Sequence, residues 1–277
     1  ATLFGIHAEL IEQRLDYPTV NMGTHAGLGI AYMLHLAKQV AKAGDTVLLT
    51  FEYNTFSFGE VRRDSVFVDY MMAREAEYFR SLPIGAQFEI AMMTTYSRLR
   101  RGLKNRFKPE KPPPLTPIYH PSHLNVYGDQ LNNEATNRPA YTPLRYGRDG
   151  ALAFDLLKEM PAVANISEFV SWARANNVRV VATYPNIMDN PAYQTQRAKR
   201  ALQRVRDAYA QLEVPMIGSF EESLMPSPAF LDTFYHLTRE AARQRTERLI
   251  ADLEEALKQP GPPRAAAAQS DSSRERK

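Results

Sequence analysis

Asp232 and His236 stand four positions apart in FLDTFYHLT, a stretch rich in aromatic side chains just ahead of the last long helical pattern. A histidine with one ring nitrogen held by a carboxylate can take a proton through the other, the general-base arrangement of acyl transfer. The same pair can equally be a packed turn in which a hydrogen-bonded histidine caps the following helix. What separates the two readings is whether other chemistry-bearing segments reach the same place. GTHAG (23–27), FEYNTF (51–56) and YPNIMDN (184–190) each follow an apolar run, and each offers amides, hydroxyls or carboxamides suited to a developing oxyanion. Glu52 ends one such run, where a carboxylate can do acid–base work or touch substrate. The chain has no cysteine, so thiolate chemistry and disulfides are excluded. Thr2, Thr24 and Ser57 lie near the expected site, but capping and turn roles account for hydroxyls there, and the nucleophile stays unassigned.

The elements that must position these groups alternate. LFGIHAELIEQRL has helical spacing, PTVNMG reads as a short buried strand, and Leu28 to Ala43 is a helix closed by the Gly44–Asp45 turn. TVLLTF is a continuous apolar run suited to a strand covered on both faces. Two helices are expected over DSVFVDYMMAREAEYFRSL and GAQFEIAMMTTYSRLRRGL, with their methionine pairs in the core. The alternation resumes with NISEFVSWARANN, helical from an Asn or Ser cap, then the strand VRVVATYP and a helix over PAYQTQRAKRALQRVRDAYAQL. VPMIG is a further strand and TREAARQRTERLIADLEEAL the closing helix. Such alternation predicts an α/β fold with a parallel sheet, whose ligands bind beyond the carboxyl ends of the strands. The domain runs over 1–259, with an insertion or lid at about 105–150 and a disordered tail at 260–277.

The combination VNMGTHAGLG, GDTVLLTFEYN, NVYGDQLNN and DTFYHLTREAARQRTERLI resembles the SGNH hydrolase superfamily, or GDSL-type esterases, especially a bacterial branch related to cell-envelope acyl-transfer proteins. The resemblance implies a three-layer αβα sandwich, flavodoxin-like, with its first strand and a nucleophilic serine upstream of Ala1. It implies His236 as general base, Asp232 as its orienting partner, and an oxyanion site from Gly27, with Gly23 in reserve, and Asn54. The family places two residues between its Asp and His; here Thr233, Phe234 and Tyr235 make three. The Gly expected shortly before the oxyanion Asn is replaced by Glu52. Asp129, in a Gly-Asp pair, is a turn former or a substrate contact, and His25 and Glu52 are further candidate contacts. The implied activity is ester hydrolysis or O-acyl transfer on an acylated carbohydrate or small ester, without cofactor or metal, in an extracytoplasmic, envelope-associated setting. A non-catalytic, glycan-binding or scaffold member of the same fold is the alternative.

Charge narrows the partners. The net charge is +3, and most of it lies in the tail, where Arg264, Arg274, Arg276 and Lys277 face Asp271 and Glu275, so a nucleic-acid surface is not expected. Neither a phosphate-binding loop nor a dinucleotide fingerprint occurs at a strand-to-helix turn. One cluster remains in RLRRGLKNRFKPEK: Arg98, Arg100, Arg101, Lys104, Arg106, Lys108 and Lys111. It reads as a solvated helix end running into a proline-rich loop, or as a peripheral contact for membrane or anionic polymer through 98–111. A metal site from His7, His25 and His35 is not expected, because no metal-ligand spacing joins them.

Overall fold

A computed structural model describes residues 2–59, 61, 65–108, 119–139 and 154–259. Residues 109–118 and 140–150 of the expected insertion, Lys111 among them, and the 260–277 tail lie outside the described residues. The opening pattern forms two helices rather than one, α1 (Thr2–Gly5) and α2 (Ala8–Leu15). The break has a distant cause: the Asp129 carboxylate accepts from the backbone N–H groups of Ala8 (2.8 Å) and Glu9 (3.0 Å), starting a new helix at that point.

Helix α3 (Gly29–Val40) is followed by the turn at Gly44, whose φ of 95° suits a residue without Cβ, and leads into β1 (Thr46–Leu49). Later come β2 (Arg179–Thr183), β3 (Ile187–Met188), β4 (Met216–Ile217) and β5 (Leu224–Met225). Strands β1, β2 and β4 form a parallel sheet in that order, with Val47 opposite Val180 and Thr183 opposite Ile217; β3 and β5 pair separately, also in parallel. Period-two alternation splits the side chains between two layers. Val47, Leu49, Val180, Ala182 and Met216 enter the main core with α3, α8 (Ala162–Ala175) and α9 (Gln196–Gln211). Leu48 and Ile217 turn the other way, onto Ile6, Ile11, Leu249 and Leu253. Those residues come from the α1–α2 region and from the closing helix, which is α11 (Arg239–Lys258) once the single turn α10 (Phe220–Ser223) is counted. The protein is thus a mixed α/β fold with helices on both faces of a small parallel sheet.

The strand expected over PTVNMG is not present: residues 16–25 are irregular, and Val20 and Met22 are 55% and 37% exposed. A strand needs a ladder partner, and among the described residues none stands beside this segment; the Asn21 N–H bonds to the Tyr127 carbonyl (2.7 Å) instead. Among the described residues β1 is an edge strand, and beside its free edge opens a slot of about 430 Å³. Residues 18–24 form one wall and β1 the other, while Ile11, Leu34, Ala37 and Leu253 close it from both helical layers.

Residues 65–107 form four helices where two are expected: α4 (Ser65–Arg74), α5 (Ala76–Ser81), α6 (Ile84–Met92) and α7 (Tyr96–Phe107). Glu75 and Thr95 both leave helical geometry, with ψ of 48° and 153°, and Pro83 separates the middle pair. This group closes over Leu28 and Tyr32 through Phe67, Met71, Tyr78 and Ile90. Met71 is core as expected, whereas Met72 and Met92 face outward. Helix α8 starts at Ala162, ahead of the expected Asn or Ser cap, and α9 starts late, at Gln196, capped by Thr195, whose hydroxyl accepts from Ala198 N–H (3.2 Å). Within the expected insertion, 119–139 runs through short 3-10 turns and docks on the start of α11: Asn133 donates to Leu237 O (3.1 Å) and accepts from Arg239 N–H (2.9 Å).

Candidate active site

Residues 229–238 fold back on themselves, and this brings Asp232 to His236. Phe230 and Leu237 form an antiparallel bridge, Leu231 N–H donates to His236 O (2.8 Å), and Thr238 N–H donates to Ala229 O (2.8 Å). Inside the turn the Thr233 hydroxyl accepts from the N–H groups of Tyr235 and His236, both at 3.2 Å. That local turn absorbs the extra residue between Asp and His. The result is a 2.8 Å contact between Asp232 Oδ1 and His236 Nδ1. Both side chains are largely enclosed, 12% and 18% exposed, yet not sealed from solvent.

Several groups set the state of this dyad. Burial alone would raise the Asp232 carboxyl, but the hydrogen bond and charge of His236, together with the Tyr119 hydroxyl, bring it below the usual carboxylate range. Tyr119 O–H donates to Asp232 Oδ2. The Phe4 ring stacks on the imidazole, with centroids 4.2 Å apart and planes 17° from parallel. Asp232 thereby fixes the ring from one side and Phe4 from one face. His236 Nε2 makes no hydrogen bond among the described residues and is the nitrogen left to handle a proton.

Phe4 belongs to α1, and α1 is pinned by an unusual cation. Arg245, on α11, is 8% exposed and donates to two main-chain carbonyls, Gly5 O (3.1 Å) and Tyr184 O (2.6 Å). Burial brings its guanidinium down to about 10. Gly5 packs against the Asn186 carboxamide, where a Cβ would have no room. Asn186 in turn donates to Tyr235 O (2.6 Å), and the Tyr235 hydroxyl accepts from Tyr53 N–H (3.2 Å). The His236 loop is thus tied to the segment that follows β1.

At the carboxyl end of β1, three buried side-chain oxygens make no hydrogen bond among the described residues: Thr24 Oγ1, Thr50 Oγ1 and Asn54 Oδ1. Buried polar atoms normally find partners in protein or in ordered water. Thr24 and Thr50 also line the slot beside β1.

The candidate residues do not all converge. Asp232 and His236 are joined as expected, and Asn54 sits in the turn after β1, next to Tyr53. The two glycine amides are already engaged, which corrects their assignment as free oxyanion donors: Gly27 N–H donates to His25 Nδ1 (3.0 Å) and Gly23 N–H to Asn21 Oδ1 (3.0 Å). His25 caps a short turn, its Nδ1 accepting from the Gly27 amide. Asp129 is fully buried and also accepts from Asn21 Nδ2 (3.2 Å), so it is a helix cap and strut, not a substrate contact. Glu52 is half-buried at the start of the Tyr53–Ser57 turn, where its carbonyl accepts from Thr55 N–H (2.9 Å). The hydrogen bonds and stacking of the His236 ring involve Asp232, Tyr119 and Phe4; among the described residues none reaches Gly23, Gly27 or Asn54.

Phe4, Tyr119 and Arg245 are site residues that sequence reasoning missed. Phe4 is one more apolar position in a helical stripe, and Arg245 one more cation on a charged helix, so neither carries a local signal. Tyr119 stands just ahead of the turn capped by His120, and only its position in the expected lid hints at a role. Comparison with protein-family models, with curated proteins and with solved structures found no match.

Proposed function

We propose that this chain is an SGNH-type α/β domain that acts through an acyl-enzyme on an ester, an acylated carbohydrate or a related small ester, by hydrolysis or O-acyl transfer. The observation that carries the reading is the Asp232–His236 pair, with Nδ1 held, Nε2 unengaged, and the ring on a rim beyond the ends of parallel strands. His236 takes the proton of the attacking hydroxyl through Nε2 and returns it to the leaving group. Asp232 holds the tautomer and stabilises the imidazolium. Asn54 is the oxyanion donor on this reading, since the Gly23 and Gly27 amides are already bonded.

The nucleophile on this reading is a serine ending a further strand laid in the slot beside β1. The slot has apolar walls from both helical layers and, along one side, the edge of β1 that has no ladder partner among the described residues. Thr2 Oγ1 donates to Thr50 O (3.3 Å), so a strand parallel to β1 and leading into α1 would finish at the level of Thr50. Its last residue would then lie within about one helical turn of Phe4, and so near the imidazole that Phe4 covers. An envelope-associated, extracytoplasmic setting belongs to the same proposal.

Engagement of the Gly23 and Gly27 amides favours a second reading, a non-catalytic glycan-binding or scaffold protein. A fluorophosphonate probe on the full-length protein separates the two. The enzyme reading expects stoichiometric serine labelling, lost about 100-fold or more in His236→Ala and strongly reduced in Asp232→Asn. Labelling at equal rates in the wild type and a folded His236→Ala variant would sink it. No labelling of the folded protein, together with glycan binding, would establish the second reading.

A further inference from the structure

Helix α7 is amphipathic the wrong way round for a helix of a free-standing domain. None of its residues is buried, and its apolar side chains face solvent: Tyr96, Leu99, Leu103 and Phe107 are 79%, 60%, 62% and 79% exposed. At 100° per residue these four fall within a stripe about 80° wide. The opposite face touches the protein. Arg98 pairs with Asp69 (3.2 Å) there, and Asn105 is half-buried on the same side. Helix α6 repeats the inversion, with Ile84, Phe88 and Met92 on one stripe at 85%, 66% and 70% exposure while Ile90 is buried.

Basic residues flank the α7 stripe. Arg100 and Lys104 lie along one side and Arg106 along the other, with Arg101 and Lys108 further round, and no acidic residue occurs from Tyr96 to Lys108. An apolar stripe bordered by cations on long aliphatic stems fits the boundary between headgroups and acyl chains: the stripe enters the hydrocarbon and the cations reach back to phosphate. Aromatic side chains and arginine also occur at protein–protein interfaces, so a second copy of this chain is the rival occupant that the test must separate. Among the described residues no helix is long and apolar enough to cross a membrane, so the contact would be with one surface of it.

We infer that α7, assisted by α6, docks this protein in the plane of an anionic lipid bilayer, with Leu99, Leu103 and Phe107 inserted and Arg100, Arg101 and Lys104 on the lipid phosphates. This inference does not depend on the proposed chemistry, because binding is read without any reaction.

Vesicle co-sedimentation of the full-length protein tests it, using phosphatidylglycerol–phosphatidylcholine vesicles against pure phosphatidylcholine. Binding to the anionic vesicles is expected, weakening as salt rises. Each cation near such a surface is worth about five-fold in partitioning, so Arg100→Gln/Arg101→Gln/Lys104→Gln should bind about 100-fold more weakly. Leu103→Ser/Phe107→Ser should lose binding even at low salt, with its circular dichroism and thermal transition unchanged. Three results would overturn the inference. One is no binding by folded wild type. Another is undiminished binding by the Leu103/Phe107 variant, which would indicate a merely electrostatic polymer contact. The third is self-association of the wild type that this variant abolishes without any effect on vesicle binding, which would assign the face to a second copy.

Discussion

Arg245 is a cation buried without a carboxylate, and replacing it by methionine weighs two opposed effects. Burial that brings the guanidinium to about 10 from its ordinary 12.5 costs roughly 3 kcal/mol at neutral pH. Against that, charge-assisted hydrogen bonds to Gly5 O and Tyr184 O contribute about 1.5–3 kcal/mol each. Methionine removes the desolvation cost and fills a similar volume, but it leaves both carbonyls without a donor. The balance predicts a loss of about 2 kcal/mol, or about 4 °C in Tm for a chain of this length, read by urea unfolding and calorimetry. Lysine keeps the charge buried yet reaches only one carbonyl, so Arg245→Lys should be at least as destabilised. A local consequence follows, because Gly5 O ends the helix that lays Phe4 on the imidazole: the ring-proton shifts of His236 should move in both variants. A methionine variant as stable as wild type, with unmoved His236 resonances, would refute the claim that Arg245 positions α1. A lysine variant matching wild type would show that charge, not the bridge between two carbonyls, is what matters.

Three further outcomes are expected. Burial raises the hydroxyls of Tyr53, Tyr209 and Tyr235, so each group's contribution is intact below the ordinary tyrosine value and is lost as pH rises above about 10, by about 1.4 kcal/mol per pH unit for each ring. Their phenolate absorbance should therefore appear only with loss of circular dichroism, and reversible ionisation in the folded state would contradict this. Asp232, lowered by His236 and Tyr119, adds stability that is present above about pH 4 and disappears as pH falls further, so the stability gap between wild type and Asp232→Asn should narrow from pH 5 to pH 3; a constant gap would show that the carboxylate is not engaged. Asp129→Ala strands the N–H groups of Ala8 and Glu9 and the Asn21 carboxamide, and should cost about 3 kcal/mol in urea unfolding, whereas near-wild-type stability would return Asp129 to the list of substrate contacts.

Local pattern carried much of the architecture. The helix over Leu28–Ala43, the strands TVLL and RVVAT and the closing helix follow from periodicity and from one turn glycine, all written within a few residues. Asp232 and His236 were legible for the same reason, since a Thr-centred turn needs only its own neighbours. The failures come from partners far along the chain. Asp129 splits the first helix from 121 positions away, and Tyr119 reaches Asp232 across 113. PTVNMG has strand-like composition, but a strand exists only where a ladder awaits it. The glycine amides failed for a nearer cause: an Asn two residues before Gly23 and a His two before Gly27 are the spacing of side chains that close turns on following N–H groups.

The edge of β1 that is free among the described residues gives them a property that no single side chain has. A backbone ladder left open between two apolar helical layers is an acceptor with direction, depth and register, so any extended, water-averse peptide of about five residues is a competitor for it. A peptide of that kind supplied in trans is expected to bind along β1, and slowed hydrogen exchange of the Thr46–Leu49 amides would read it. Concentrated preparations with that groove unfilled would tend to exchange segments or polymerise edge to edge, whereas a donated peptide would solubilise them.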